Sequence, residues 1–217
     1  MPEGATDIYL VRHGESRAAI EGKLFPLLNG QGDPELSSEG RAQAIAVAEK
    51  LVRLPINAVY VSNLRRTLET AKPLCERLGL NPIEEPDLRE VHLGDWEGGL
   101  FRAKVQENDP LYQRMQDEER WDVIPNAESS KSLKKRIGTA LTRIIKDNPG
   151  KLLVAVVHGG VIGHILSEAA QSRPFAFSGS DNGSISRIVS VEGKLTLRSF
   201  NQTDHLHSVS SESHLPT

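Results

Sequence analysis

Residues 7–16, DIYLVRHGES, place a short apolar run directly before a charged loop. Residues 8–11 have the length and composition of a buried strand, which ends abruptly at the Arg-His-Gly-Glu that contains His13. Residues 152–160, LLVAVVHGG, repeat this arrangement, with His158 after the most apolar run of the chain. Chemistry in proteins of alternating strands and helices often lies where strands end. The sequence therefore predicts two histidines at the ends of two buried strands.

The segments around these two strands alternate between helical and strand patterns. Apolar residues recur at helical spacing in three segments, 38–54, 64–78 and 132–146. Strand patterns cover residues 58–61 and a terminal hairpin formed by 185–191 and 194–200. This rhythm predicts an α/β fold, a three-layer sandwich with a mostly parallel central sheet and helices on both faces.

Residues 88–129 interrupt the rhythm. They contain both tryptophans, two prolines and many charged residues. We expect a small inserted cap at about residues 92–128, which could serve as a lid over one face. The rest of residues 1–206 should form one domain, and the polar tail at 207–217 is expected to be disordered.

Composition narrows the choice of partners and compartment. The 217 residues include 26 Lys plus Arg against 29 Asp plus Glu, which argues against binding nucleic acid through charge. We find neither a secretion leader nor the run of roughly 18 apolar residues that a membrane span needs. Cys75 is the only cysteine, which excludes an internal disulfide. We expect a cytoplasmic protein; its oligomeric state is not readable from the sequence.

Arg12-His13-Gly14 has the chemistry of a phosphate site. A cation beside an imidazole can hold a phosphate, and a glycine lets backbone amides approach it. The tripeptide alone is weak support, because any given tripeptide occurs by chance in a few per cent of chains of about this length. Further motifs are needed.

Six segments supply them, in this order: LVRHGES (10–16), LSSEGRAQA (36–44), VSNLRRTLETA (61–71), LREVHLGDWEG (88–98), VVHGG (156–160) and NQTDHL (201–206). Their order and spacing resemble the histidine phosphatase superfamily, the phosphoglycerate mutase-like proteins. The resemblance spreads over nearly all of residues 7–206 and implies a domain of that family.

The resemblance implies a role for each matched residue. His13 would be the nucleophile, Glu90 the general acid and His158 a second phosphate-binding histidine. Arg12 and Arg66 would bind phosphate, and Arg65 would occupy a variable position. Further phosphate or substrate contacts are expected from Asn29, Gly30 and Gly159, the first two through backbone amides.

The chemistry of this set is plausible without the family. A phosphoryl group spreads charge over three oxygens during transfer, and two guanidiniums with imidazole and amide donors can stabilise it without a metal. The same arginines disfavour protonation of His13, so that neutral imidazole can attack. We therefore predict no metal and no cofactor.

Other chemistries fit poorly. Asn81 stands where a cysteine phosphatase based on Cys75 would need arginine, and neither an Asp-any-Asp nucleophile motif nor a Gly-Lys phosphate loop occurs. His158 and His164 are six residues apart, which is too far for the usual zinc spacing.

Two departures from the family pattern bear on function. Ala19 replaces an asparagine that helps to hold phosphate, and Ala127-Glu128-Ser129 replaces the usual Gly-Glu-Ser. We expect a hydrolase of a small phosphorylated metabolite, since LGDWEG resembles the phosphatase branch and the insertion is short for a mutase. The alternatives are a phosphoglycerate mutase-type transfer and a non-catalytic phosphate-binding regulator. The sequence does not identify the phosphate ester.

Overall fold

A computed structural model describes residues 4–18 and 24–206. The strands are β1 (Thr6–Arg12), β2 (Leu27–Leu28), β3 (Gln31–Gly32), β4 (Ala58–Val61), β5 (Ile83–Glu84), β6 (Leu152–Val157), β7 (Ile185–Val191) and β8 (Lys194–Gln202). The α-helices are α1 (Ser38–Leu51), α2 (Arg65–Leu78), α3 (Leu100–Gln106), α4 (Pro110–Glu118), α5 (Ser130–Asp147) and α6 (Gly159–Ala170). Short 3₁₀ helices cover Pro86–Leu88, Gly94–Trp96, Trp121–Val123 and Asp204–Leu206.

One six-stranded sheet, in the order β5-β4-β6-β1-β7-β8, forms the centre of the protein. Strands β5, β4, β6 and β1 are parallel to one another, whereas β7 pairs antiparallel with β1 and β8 pairs antiparallel with β7. This confirms the predicted mostly parallel sheet. Arg12 of β1 is opposite Val157 of β6, so the residues that follow, His13 and His158, emerge side by side. The register of two buried strands thus brings both histidines to one edge.

The sheet is covered on both faces, because alternate side chains of each strand point to opposite sides. Ile8 and Leu10 of β1 belong to a core that also includes buried residues of α5 and α6. Val11 belongs to the opposite core, formed with α1 and α2, where Cys75 is also buried. The predicted three-layer sandwich is therefore confirmed.

The boundaries predicted from the sequence are close to those in the structure. Strands β4 and β6 match the predicted ranges, and Gly79 ends α2 in the left-handed conformation with φ 65°. The hairpin turn also has positive φ, 50° at Glu192 and 78° at Gly193, as tight hairpin turns require. Helix α1 ends at Leu51, three residues before the predicted end.

The segment at 92–128 contains α3, α4 and two short 3₁₀ helices. Four buried side chains form a small apolar cluster there, Trp96, Met115, Val123 and Ile124. We keep the word cap for residues 92–128 as defined from the sequence, and its role as a lid stays a prediction. The predicted tail at 207–217 lies outside the described residues. None of the described helices combines the length and apolar character needed to cross a membrane.

Candidate active site

His13 is fixed at the end of β1 by its own backbone and ring. Its backbone N–H donates to Val157 O at 3.0 Å, and its side chain is 5% exposed. Nδ1 lies 2.7 Å from Gly14 O. A carbonyl oxygen can only accept, so Nδ1 carries the proton and Nε2 is unprotonated, with its lone pair available as an acceptor. The nitrogen suited to nucleophilic attack is therefore Nε2.

The loop that carries His13 packs tightly on the start of α1. A Cβ added at Gly14 would overlap the backbone of Gly40, and a Cβ at Gly40 would overlap the backbone of Glu15. Ser37 caps α1 by accepting from Gly40 N at 3.0 Å. Gly14 N donates to Thr70 Oγ1 of α2 at 3.0 Å. Glycine is required at both positions for this close approach.

Arg66 is the arginine of α2 that reaches His13. Its Nε lies 3.2 Å from His13 Nε2, its Nη1 donates to Gly32 O at 2.9 Å, and its side chain is buried. Arg65 points elsewhere and pairs with Glu35 at 2.8 Å and Glu69 at 2.9 Å on the surface. The structure thus brings Arg66, and not Arg65, to the predicted nucleophile.

Arg12 lies between the loop before β7 and the start of α6. Its Nη1 donates to Ser180 O, and its buried Nε has no hydrogen-bond partner among residues 4–18 and 24–206. Gly159 is so close that an added Cβ would be 3.4 Å from Arg12 Nε. A buried donor without a partner is costly, so this one is available to a polar ligand.

His158 lies behind His13, with the two ring centroids 5.1 Å apart. Its side chain is fully buried, and its Nε2 lies 2.8 Å from Ser62 Oγ. Its Nδ1 has no hydrogen-bond partner within the described part of the chain. The predicted contact of His158 with phosphate stays a prediction.

Both imidazoles are held neutral. Burial is the main cause that lowers the pKa of His13 well below 6.5, and the charges of Arg66 and Arg12 lower it further. Burial likewise lowers the pKa of His158, with Arg66 and then His13 as the next causes. The two arginines contribute to a neutral His13 as predicted, but desolvation is the larger cause.

Hydrogen bonds hold Glu90 at its side-chain carboxylate and at its backbone carbonyl. Its Oε1 accepts from Val91 N at 2.9 Å, and its Oε2 accepts from Gly160 N at the start of α6 at 3.3 Å. Its carbonyl oxygen accepts from Gln31 Nε2 at 2.7 Å and Arg136 Nη2 at 3.0 Å. These contacts fix the direction in which the carboxyl group points.

Arg136 connects the Ala127-Glu128-Ser129 segment to Glu90. Its guanidinium pairs with Glu128 at 2.7 Å and also donates to the carbonyls of Asp87 and Arg89. Although alanine replaces the family glycine, Glu128 is retained and holds Arg136 in this position. No signal in the sequence singles out Arg136, because it is one of many charged residues in α5.

A cavity of about 180 Å³ opens in front of His13. Four of the predicted residues line it, Arg12, His13, Arg66 and Glu90. The other residues that line it include Ser16, Phe25, Gln31, Gly32, Trp96, Glu97, Phe101, Arg102 and Trp121.

Some predicted contacts lie away from this cavity. Asn29 and Gly30 form the exposed turn between β2 and β3 and are not among the lining residues, whereas Gln31 and Gly32 are. A phosphate contact of Asn29 or Gly30 stays a prediction.

Ala19, the replacement for the family asparagine, lies outside the described residues. No cluster of three or more His, Cys, Asp or Glu side chains suited to a metal ion occurs in residues 4–18 and 24–206.

A mostly parallel α/β fold with a buried, neutral histidine at a strand end, and with two arginines lining the same cavity, is typical of a phosphate-handling class of protein. The family model described as "Histidine phosphatase superfamily (branch 1)" matches residues 8–203. The chain therefore belongs to the histidine phosphatase superfamily.

Relatives within the family carry two kinds of name. "Metal-independent phosphoserine phosphatase" from Arabidopsis thaliana is 31% identical, over 94% of this chain and 84% of the relative. "Phosphoglycerate mutase-like protein 4" from the same plant is 38% identical, over 76% of this chain and 72% of the relative. The native structure of mycobacterial glucosyl-3-phosphoglycerate phosphatase aligns with a TM-score of 0.75 at 28% identity, covering 91% of this chain and 99% of that one.

Proposed function

We propose that this protein hydrolyses small phosphomonoesters through a phosphohistidine on His13 Nε2. The observation that carries the proposal is the unprotonated Nε2 of a buried, neutral imidazole, whose lone pair accepts from Arg66 in the cavity. Relatives named phosphoserine phosphatase and glucosyl-3-phosphoglycerate phosphatase support hydrolysis as the reaction.

In the first step, the Nε2 lone pair attacks phosphorus and the P–O bond to the alcohol breaks. Arg12 and Arg66 stabilise the charge that develops on the phosphoryl oxygens, in the place that a divalent ion takes in metal-dependent enzymes. Glu90 gives its proton to the leaving alkoxide, since it lines the same cavity. In the second step, Glu90 takes a proton from water, the water oxygen attacks phosphorus and the P–N bond breaks. The products are the alcohol and inorganic phosphate, and His13 is neutral again.

The proposal is tested by trapping the intermediate. Turnover of a ³²P-labelled ester should be quenched and the protein digested, and the label should be acid-labile, alkali-stable and located on the peptide that contains His13. The His13→Ala variant should carry no label. Exhaustive chelation should leave the rate of the unmodified protein unchanged. Label on a serine, or activity that is lost with a chelator and restored by zinc or magnesium, would contradict the mechanism.

The names of several relatives, among them phosphoglycerate mutase-like protein 4, keep mutase chemistry as the second candidate. A mutase must exclude water from its phosphoenzyme while a bisphosphorylated intermediate changes its orientation in the site. We expect phosphate release to exceed interconversion of 2- and 3-phosphoglycerate, with and without 2,3-bisphosphoglycerate. Bisphosphate-stimulated interconversion that outruns release from every ester would replace hydrolysis with mutase activity. Binding of phosphate esters without either reaction would indicate the non-catalytic regulator.

A further inference from the structure

His158 has only one ring nitrogen left for a ligand. Its Nε2 lies 2.8 Å from the Oγ of Ser62, the residue that follows β4. Its Nδ1 is buried and has no hydrogen-bond partner among residues 4–18 and 24–206. A phosphate that contacts this imidazole must therefore use Nδ1. Whether Nδ1 donates or accepts depends on which nitrogen carries the proton of the neutral ring.

Two buried hydroxyl groups decide where that proton lies. Ser62 Oγ lies 3.0 Å from Oγ1 of Thr67, the third residue of α2, and both side chains are buried. Thr67 Oγ1 in turn lies 2.7 Å from Leu64 O and 3.0 Å from Ser62 O. A carbonyl oxygen can only accept, so the single proton of the Thr67 hydroxyl is committed to these carbonyls. In its contact with Ser62, Thr67 is therefore the acceptor.

The proton of the Ser62 hydroxyl is committed in the same way. It is donated to Thr67, so Ser62 Oγ accepts from His158 Nε2, and it also accepts from Leu64 N at 3.3 Å. With this direction every hydroxyl proton has an acceptor. The reverse direction would leave the Ser62 and Thr67 oxygens 3.0 Å apart with no proton between them. It would also leave Nδ1–H as a buried donor without a partner, which is costly.

We propose that Ser62 and Thr67 are positioning residues that hold the proton of His158 on Nε2, so that the site accepts a phosphate ester as its monoanion. The second half of this proposal rests on the proposed function. With the proton on Nε2, Nδ1 presents a lone pair. A lone pair repels the oxygens of a phosphate dianion, whereas it accepts a hydrogen bond from the P–OH group of a monoanion.

The proton balances over one turnover. The ester brings it as P–OH, a phosphoryl oxygen and Nδ1 share it while the group is bound, and it leaves with inorganic phosphate as the monoanion. His158 is thus neutral before and after turnover, in agreement with the burial that lowers its pKa in the free protein. The positive charges of Arg66, Arg136 and Arg12 also lower this pKa. A bound phosphoryl group opposes their effect, so Nδ1 can share the proton in the complex.

The first test is spectroscopic and needs no turnover. Correlation spectra of protein labelled with ¹⁵N in the histidine rings show which nitrogen of a neutral imidazole is protonated, and His158→Gln identifies the signals of His158. We expect Nε2–H in the unmodified protein. Thr67→Val removes the acceptor of the Ser62 proton, so Ser62 should donate to Nε2 and the ring proton should lie on Nδ1. The matched control is Thr139→Val, since the Thr139 hydroxyl donates to Lys135 O on the exposed side of α5 and should not affect His158.

Two outcomes of this test would overturn the hydroxyl chain. One is Nδ1–H in the unmodified protein, which decides the question even if Thr67→Val does not fold. The other is a folded Thr67→Val variant that keeps Nε2–H. Thr67→Ser retains the hydroxyl and should keep Nε2–H, which separates loss of the hydrogen bond from loss of packing.

The second test measures the protonation state of the ligand. In the His13→Ala background, calorimetry gives the Kd of p-nitrophenyl phosphate between about pH 6.5 and 8.5, above the second pKa of about 6 of a phosphomonoester. The monoanion becomes on the order of 10-fold scarcer with each pH unit, so Kd should rise by that factor. Adding Thr67→Val should make the rise much smaller, because Nδ1–H can donate to the dianion.

The comparison cancels the titration of the other groups around His158, because they are the same in both proteins. With His13 absent from both, these groups are Arg12 at the end of β1, Arg66 on α2, Glu90 before the cap and Arg136 on α5. An equal rise of Kd with pH in both proteins would overturn binding as the monoanion. If the unmodified protein hydrolyses neither p-nitrophenyl phosphate nor any other phosphate ester, the proposed function fails, whereas the position of the proton on His158 is measured independently of it.

Discussion

Arg66 Nε lies 3.2 Å from His13 Nε2, so a guanidinium N–H points at the lone pair that is proposed to attack phosphorus. This contact has two effects. It orients the imidazole ring, and the charge of Arg66 is the second cause, after burial, of the lowered pKa of His13. An incoming phosphoryl group would take the place of the nitrogen as the partner of Arg66. The same side chain can thus prepare the nucleophile and then stabilise the transferred group.

The neighbouring arginines of α2 provide a matched comparison. Arg66→Ala should lower kcat/KM on the order of 100-fold or more, because it removes an electrostatic donor from the transition state. Arg65→Ala should have a far smaller effect, since Arg65 only joins surface ion pairs with Glu35 and Glu69. Steady-state kinetics on one ester measures both variants. A larger loss for Arg65→Ala would show that the second phosphate arginine is wrongly assigned.

Gly160 tests the placement of Glu90. An alanine Cβ at this position would lie 2.7 Å from Glu90 Oε1 and 2.8 Å from Val91 Cγ2, so the carboxyl group has to move. We expect Gly160→Ala to lower kcat on the order of 10- to 100-fold, as misplacement of a catalytic group does.

The control is Gly138→Ala on the exposed side of α5, where an added Cβ meets no atom within 4 Å. That variant should retain kcat and gain about 1 kcal/mol in free energy of unfolding, because alanine is the better helix residue. Full activity of Gly160→Ala would mean that the observed position of Glu90 is not needed for turnover.

Stability should fall in acid because of the buried histidines. The folded-state pKa of both His13 and His158 lies well below 6.5, whereas in the unfolded chain it is near that value. Above pH 6.5 both states are neutral at these positions. As the pH falls below it, only the unfolded chain takes up the protons, so the free energy of unfolding decreases by up to about 1.4 kcal/mol per pH unit for each histidine.

Urea unfolding between about pH 7.5 and 5 measures this slope. His13→Gln and His158→Gln should each remove the dependence that belongs to one histidine, which separates it from that of other groups. An unchanged slope in both variants would show that these imidazoles are not kept neutral in the folded protein.

Periodicity and composition alone predicted most of the fold. Strands β4 and β6 are short, apolar and clearly bounded, and α2 ends at a glycine in the expected conformation. Helix α6 was not distinguished from a general apolar run, because its residues at 161–166 are mostly buried on all sides and show little helical contrast. Strand β5 has only two residues and no pattern to read.

The site residues also fall into two groups, those that the sequence predicts and those that it does not. His13, Arg12, Arg66 and Glu90 stand in motifs with a recognisable order, so they could be selected from the sequence. Arg136 could not, because its significance depends on a contact 46 residues away, with the Glu90 carbonyl. In the sequence it does not differ from the arginines of a solvated helix face. Only the three-dimensional structure distinguishes it from them.

The interlocked glycines 14 and 40 have a consequence for how such sequences evolve. A side chain at position 14 would overlap the backbone of Gly40, and a side chain at position 40 would overlap the backbone of Glu15. Both overlaps exist whether or not His13 reacts. A descendant that had lost catalysis and served only as a scaffold would still be constrained to keep both. The presence of both glycines therefore indicates only that a related chain has this fold. Loss of catalytic activity would instead be visible as substitution of the nucleophile or its arginines.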